Sequence, residues 1–398
     1  MMLCSIPRRI TAQSLSALRR RRWPSTRQWL SMQAATDLAP LRTALFFPGH
    51  GVHRVGMATP WLEAFPRTSR PFMDEMDSIL GFSLSRVIAE GPNSKLNMTE
   101  NSQPAIMATS ILILRVLEQE FGFQTKDRID VSLGHSLGEY AALVAGGYID
   151  FSSALTMVRR RAEIMAECTR KASETSGQSF GMIALICEPE HLPGLVSAIN
   201  DFIEPGSAVS RDDSSDDSSP FQQVRIANMN SKNQIVLSGS IERIQSLLVQ
   251  LRQFGGHDPR AVRLKSDSPF HSPIMEPAAR YMRHALEQVP INFPATMPCI
   301  SNVSALPFRS KEDLKDLLSR QCVDTVRWWD SIKYLDQDRG VKRWVGIGPG
   351  KVGRNLVGKE VGRVPTKGGG VWAICDPRDV EDVLKELEKT ESEDLDLK

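Results

Sequence analysis

The chain has 398 residues, 41% of them hydrophobic and 24% charged, with a formal net charge of +2. That balance supports one large buried core and a smaller one, and it excludes a chain too polar to fold. No run approaches the roughly 18 uninterrupted apolar residues of a membrane-spanning helix, so no membrane insertion is expected. The six cysteines (Cys4, Cys168, Cys187, Cys299, Cys322, Cys375) contain no C-x-x-C pair and indicate neither a zinc site nor a disulfide framework.

The chain opens on a distinct segment. Arg8, Arg9, Arg19, Arg20, Arg21, Arg22 and Arg27 stand among serines, and the first acidic residue is Asp37. An arginine-rich, acid-free start predicts an organelle transit peptide with its linker over 1–40 and a mitochondrial matrix destination. The alternative is a basic arm for nucleic acid or anionic lipid. Without these arginines the remainder is net acidic, so nucleic-acid binding is not expected.

Leu41 to Phe47 is a short apolar run that ends at Pro48-Gly49-His50-Gly51, a strand entering a glycine-rich turn. Residues 104–122 carry apolar side chains at helical spacing, Val131-Ser132-Leu133 is a short strand, and Tyr140 to Ala145 begins a small-residue helix. Asp150 to Cys168 is a further helix. This β-turn-α alternation predicts an α/β domain built on a mainly parallel sheet. Phe180 to Cys187, Val224 to Asn228, Gln234 to Leu237 and Ala261 to Leu264 are shorter strands, with a helix over Ile241 to Phe254. They predict a separate small α+β subdomain over 173–262. Within it, 204–220 is Ser/Asp-rich and is expected to be a disordered surface insertion. Val341 to Ile347 returns as a strand of the large domain, which spans 41–172 and 263–378. Val380, Val383, Leu384 and Leu387 mark one face of a terminal helix, with an acidic tail closing 379–398.

Gly134-His135-Ser136-Leu137-Gly138 lies between the predicted strand and the predicted helix. A serine hydroxyl is a poor nucleophile until a base removes its proton and a rigid turn presents it. G-x-S-x-G on a strand-to-helix turn supplies that presentation, and the helix start aims free N–H groups at a developing oxyanion. The Leu137 N–H is the natural first donor. Of the base, spacing says little: the chain has seven histidines, and none is singled out. Arg159-Arg160-Arg161 lies on the following helix. Successive helical residues point about 100° apart, so at most one of the three faces the site.

Gly134-His135-Ser136-Leu137-Gly138-Glu139-Tyr140 resembles the nucleophile signature of malonyl-CoA:acyl carrier protein transacylases, relatives of the acyltransferase domains of fatty acid and polyketide synthases. The resemblance extends over about residues 43–375. Further blocks carry it: Phe47-Pro48-Gly49-His50-Gly51, Thr99-Glu100-Asn101-Ser102-Gln103-Pro104-Ala105, Asn228-Met229-Asn230 and Gly348-Pro349-Gly350-Lys351. It implies an α/β-hydrolase-like large domain and a ferredoxin-like subdomain. It picks His271 as general base to Ser136, oriented by the main-chain carbonyl of Gln321, whose side chain is then expected to matter little to that role. It implies Arg161 as the clamp for the malonyl carboxylate, with Arg159 and Arg160 solvated or facing phosphate. Arginine suits that task because it is always charged and binds a carboxylate two-pronged. The second oxyanion donor is the N–H of His50, which stands where the family usually has glutamine. Asn230 and Phe270 are implied in the acyl pocket.

The implied reaction moves malonyl from malonyl-CoA to the phosphopantetheine thiol of acyl carrier protein through a malonyl-serine ester, feeding fatty acid biosynthesis. The cofactors, CoA and phosphopantetheine, arrive on the substrates, no metal is implied, and a monomer is expected. A serine esterase or lipase-like hydrolase, and an acyltransferase of a polyketide pathway, are the alternatives.

Overall fold

The computed structural model describes residues 41–203, 223–266, 268–362 and 368–395. The expected transit peptide and the insertion expected over 204–220 lie outside the described residues. Two sheets organise the rest. The first is parallel, in the order β7 (Cys299–Ile300), β2 (Val131–Gly134), β1 (Thr43–Phe47), β8 (Arg343–Ile347), β9 (Gly370–Ile374). Its centre, β1, is Thr-Ala-Leu-Phe-Phe with every residue buried, the unbroken apolar run of a strand covered on both faces.

Three helices set the site on this sheet. Helix α1 (Thr99–Glu120) is buried over most of its length and packs against α3. Helix α2 (Gly138–Ala145) follows β2 after the turn that holds Ser136. Helix α3 (Phe151–Ser176) starts at Asp150, whose side chain accepts from the Ser153 N–H at 2.8 Å, and ends at Gly177 in the left-handed conformation. Its buried stripe runs Ala154, Val158, Arg161, Met165, Cys168, Ala172, alternating steps of four and three. Arg161 therefore occupies a core position of an amphipathic helix, while Arg159 and Arg160 are turned away from it by the helical rotation.

The second sheet is antiparallel, ordered β4 (Arg225–Ser231), β5 (Gln234–Ser240), β3 (Phe180–Ile186), β6 (Arg260–Arg263). Helix α4 (Leu192–Ile203) joins β3 towards β4, and α5 (Ile241–Gln253) joins β5 to β6. That is the β-α-β-β-α-β succession of a ferredoxin-like unit. Ile183, Leu185, Leu195, Ile199, Leu237 and Leu247 form its own core. On the other face, Phe180, Met182, Ala184 and Val236 join the main core, so one sheet serves both units. Later in the chain come α6 (Glu276–Gln288), α7 (Lys311–Arg320) and the terminal α8 (Val380–Leu395).

The expected strands fall where the structure has them, most with ends within two residues, but β4 and β5 each run three residues further than expected, to Ser231 and Ser240. The helix expected over 104–122 begins earlier, at Thr99, and carries Pro104 inside it as its sixth residue. β7 and β9 gave no usable pattern: β7 has two residues, and β9 is Gly-Val-Trp-Ala-Ile.

Candidate active site

The turn between β2 and α2 is tight enough to dictate its glycines. A Cβ built on Gly134 would stand 2.0 Å from the main-chain carbon and oxygen of Gly138, and one on Gly138 would stand 2.6 Å from the Pro48 carbonyl oxygen. Ser136 sits between them at φ 51°, the left-handed region that a side chain rarely adopts. Hydrogen bonds hold it there. Its N–H donates to Asn302 Oδ1 at 2.7 Å, and its carbonyl accepts from Gln321 Nε2 at 2.7 Å. Asn302 Nδ2 in turn donates to the Gly134 carbonyl at 2.7 Å.

The expected base arrives from another stretch of chain. His271 also has a left-handed backbone, φ 57°, and places Nε2 2.8 Å from Ser136 Oγ. Its Nδ1 lies 2.8 Å from the main-chain carbonyl of Gln321, just after α7. A carbonyl only accepts, so Nδ1 carries the proton and Nε2 is the free acceptor facing the hydroxyl. Burial, then the charge of Arg161, push the imidazole down to about 3 against the pull of the Gln321 carbonyl. The ring is thus neutral at physiological pH. Neither the Leu137 N–H nor the His50 N–H has a main-chain acceptor among the described residues.

Beneath the serine lies a buried polar cluster. Arg161, 1% exposed, donates from Nη1 to Gln103 Oε1 at 2.5 Å and from Nη2 to Gln321 Oε1 at 2.9 Å. Its guanidinium carbon stands 5.6 Å from the centre of the Tyr140 ring, and its Nε has no partner. Glu139, fully buried, accepts from Gln321 Nε2 at 2.7 Å and from the Asn302 N–H at 3.2 Å. Burial raises its carboxyl to about 8, against the hydrogen bonds of Gln321 and Asn302 and the charge of Arg161.

A cavity of about 360 Å³ opens over Ser136 and His271 between the two sheets. His50, His135, Asn230 and Phe270 line it, and Arg263 and Lys265 stand on its wall. Asn230 pairs with His135 Nε2 at 2.8 Å. The His50 ring meets Phe270 edge-on at 5.5 Å and lies 5.1 Å from His53. Burial, then the charges of His53 and Arg161, push His50 down to about 3.

The structure therefore brings Ser136, His271, His50, Asn230 and Phe270 to one cavity, with Leu137 next to Ser136 on the turn but not among the lining residues. Arg161 is not among the lining residues and connects to the Ser136 turn through Gln321. Gln321 presents its main-chain carbonyl to His271, as the resemblance implies, and its side-chain amide bonds Ser136, Glu139 and Arg161 besides. One expectation needs correction. Arg159 is not solvated, because its guanidinium binds Glu163, the Glu100 carbonyl and Asn101 and lies over the Phe82 ring. Arg160 is half exposed and pairs with Glu163. Asn302 and Glu139 were missed as site residues. The available signal was slight: a charged residue opening a helix otherwise made of small and apolar residues, and an asparagine just after a buried Cys-Ile-Ser.

Comparison with known proteins gives a consistent picture. The acyl transferase domain family matches residues 45–200. A malonyl CoA-acyl carrier protein transacylase of Bacillus subtilis is 34% identical over 348 residues, 87% of this chain and 98% of the relative. A solved structure of MCAT from Streptococcus pneumoniae superposes with a TM-score of 0.71 at 30% identity, covering 87% of this chain and 100% of that one. A type II polyketide-synthase malonyl-transacylase solved with its acyl-carrier protein gives 0.72 at 28% identity, covering 87% and 99%.

Proposed function

This chain belongs to the malonyl CoA-acyl carrier protein transacylase family, and from that membership and its site geometry we infer that it transfers malonyl from malonyl-CoA to acyl carrier protein for fatty acid synthesis. The observation that carries the reading is the 2.8 Å contact between Ser136 Oγ and His271 Nε2, with His271 oriented by a main-chain carbonyl.

The chemistry follows from the atoms in place. His271 Nε2 takes the Ser136 proton as Oγ attacks the thioester carbonyl. The Leu137 and His50 N–H groups receive the developing oxyanion. The intermediate collapses, the carbon–sulfur bond breaks, and His271 returns the proton to the departing CoA sulfur. A malonyl-serine ester remains. In the second half, His271 takes the proton of the phosphopantetheine thiol, the sulfur attacks the ester, and the proton returns to Ser136 Oγ. Arg161 holds the malonyl carboxylate through donors that Gln103 and Gln321 leave free. Arg263 and Lys265 on the cavity wall suit the phosphates of CoA and phosphopantetheine. An esterase reading would favour a carboxylate behind the imidazole and no buried arginine, so the geometry favours transfer.

Incubation with malonyl-CoA alone should add one malonyl mass to the intact protein, and added acyl carrier protein should remove it. Ser136→Ala should take up none; label on that variant would refute the assignment of the nucleophile. The arginine-rich, acid-free start of the chain supports import into the mitochondrial matrix. A fusion of residues 1–40 to a fluorescent protein tests this, and cytosolic fluorescence would count against it.

A further inference from the structure

Transfer by this site gives Ser136, His271 and Arg161 separate tasks on separate stretches of chain. Ser136 stands on the β2–α2 turn, Arg161 on α3, and His271 beyond β6. Gln321 touches all three. Its main-chain carbonyl faces His271 Nδ1, its Nε2 donates to the Ser136 carbonyl and to Glu139, and its Oε1 accepts from Arg161. The amide can point only one way. A guanidinium only donates and a main-chain carbonyl only accepts, so Oε1 must face Arg161 and Nε2 must face Ser136. Both amide hydrogens are used, and the residue is fully buried.

The geometry points to the Gln321 side chain as a positioning residue that fixes the Arg161 guanidinium relative to the Ser136 peptide, and so sets the preference for a carboxylated acyl group over a plain one. This rests on the malonyl-transfer reading. A long arginine side chain is flexible, and a clamp discriminates only when its fork is held in place. Gln103 and Gln321 hold one Nη each and leave a hydrogen on each Nη and the Nε–H. Gln103 makes no comparable link to the nucleophile, so the register between clamp and serine depends on Gln321. The carbonyl behind His271 belongs to the same residue but to its main chain, so the two functions separate on mutation.

Gln321→Met keeps the length and removes every side-chain hydrogen bond. The readout is the rate of Ser136 acylation from malonyl-CoA and from acetyl-CoA, followed by intact mass, with a melting curve on each protein. The malonyl-to-acetyl ratio should fall roughly tenfold or more, the scale of a lost hydrogen bond to a charged group. Acetylation should fall by less, through the lost bond to the Ser136 carbonyl. The acid limb of the pH profile should stay in place, because Arg161 keeps its charge and His271 keeps its carbonyl. A folded variant with the wild-type ratio, or with both acylations reduced by one factor, would overturn the proposal. Should Gln321→Met fail to fold, Gln321→Asn, which withdraws the amide by one methylene, carries the same expectation. A wild-type protein that forms no malonyl-serine would sink the transacylase reading itself, whereas an unchanged ratio in the variant sinks only the role of Gln321.

Discussion

Replacing Arg161 by alanine should separate two effects of one charge. The first is on the substrate. A carboxylate left facing Gln103 and Gln321 without its guanidinium loses about 2–5 kcal/mol, the cost of removing one partner of a buried charge pair. At about 1.4 kcal/mol per tenfold, malonylation of Ser136 falls roughly 30-fold to a few thousandfold. Acetyl carries no carboxylate, so acetylation changes far less. The second effect is on the base. Burial is the main reason His271 is held down to about 3, and the Arg161 charge is the next. The base form exists above that value and is lost as pH falls through it. Alanine at 161 removes the charge but leaves the burial, so the acid limb of acylation moves up towards 6.5.

Rapid-quench intact-mass measurements between pH 3 and 8 read both effects at once. Wild type should stay nearly flat down to about pH 4, and Arg161→Ala should begin its acid decline at a higher pH than wild type, with acetyl-CoA as well as malonyl-CoA. Arg161→Lys should keep the flat profile, since the charge remains, and lose much of the malonyl preference, since the fork does not. Equal losses for both acyl groups in Arg161→Ala would show that Arg161 is not the clamp. An unmoved acid limb would show that its charge does not hold His271 neutral.

Stability should peak near pH 6.5. Burial lowers His50, His135 and His271, and to a lesser degree the partly exposed His53, so below pH 6.5 the unfolded chain takes up protons that the folded chain refuses, and stability falls with pH. Glu139 acts in the opposite sense. Raised to about 8, it keeps a proton on folding that the unfolded chain has lost above 4.5, so its contribution declines as pH rises from 4.5 to 8. Below pH 6.5 the balance is a loss of roughly 3–4 kcal/mol per pH unit at steepest, at about 1.4 kcal/mol for each net proton. Urea midpoints across pH 4.5–8.5 check this, and a midpoint constant down to pH 4.5 would contradict it. Gly134→Ala places a Cβ 2.0 Å from main-chain atoms of Gly138, which cannot yield without displacing Ser136. It should lower stability by at least about 1–3 kcal/mol and acylation more severely. A variant with wild-type melting temperature and burst amplitude would show that the turn is not fixed by that contact.

The sequence was most informative where one local rule decides. β1 was legible because five consecutive buried residues leave no other reading, and the Ser136 turn because strand, glycines and helix follow one another directly. Of the three adjacent arginines, helical rotation limited the inward-facing ones to one, and the Ala154–Ala172 stripe shows why it is Arg161. Contacts distant in sequence were not legible. Gln321 lies 185 positions from Ser136, and its carbonyl was implied only through family resemblance. Its side-chain contacts were not legible, because a main-chain role says nothing about where the amide points. Asn302 had no sequence signal for its bond to the Ser136 N–H, since that bond exists only once β7 is laid beside β2.

The site sets a permanent charge among groups that burial keeps neutral. Arg161 is charged, His50 and His271 are held down to about 3, and Glu139 is raised to about 8. Two side-chain carbonyls, those of Gln103 and Gln321, are the acceptors directly on the guanidinium. A malonyl carboxylate completes that balance, and in doing so it cancels part of the field that lowers His271. The imidazole then becomes a stronger base when the carboxylated acyl group is bound than when acetyl is bound. The acid limb of kcat reports the complex, and that of kcat/KM reports the free enzyme. With malonyl-CoA the kcat limb should therefore lie at higher pH than the kcat/KM limb. With acetyl-CoA the two should coincide. Coincident limbs for malonyl-CoA would mean that the carboxylate does not reach Arg161 in the complex, whatever the loss of rate in Arg161→Ala.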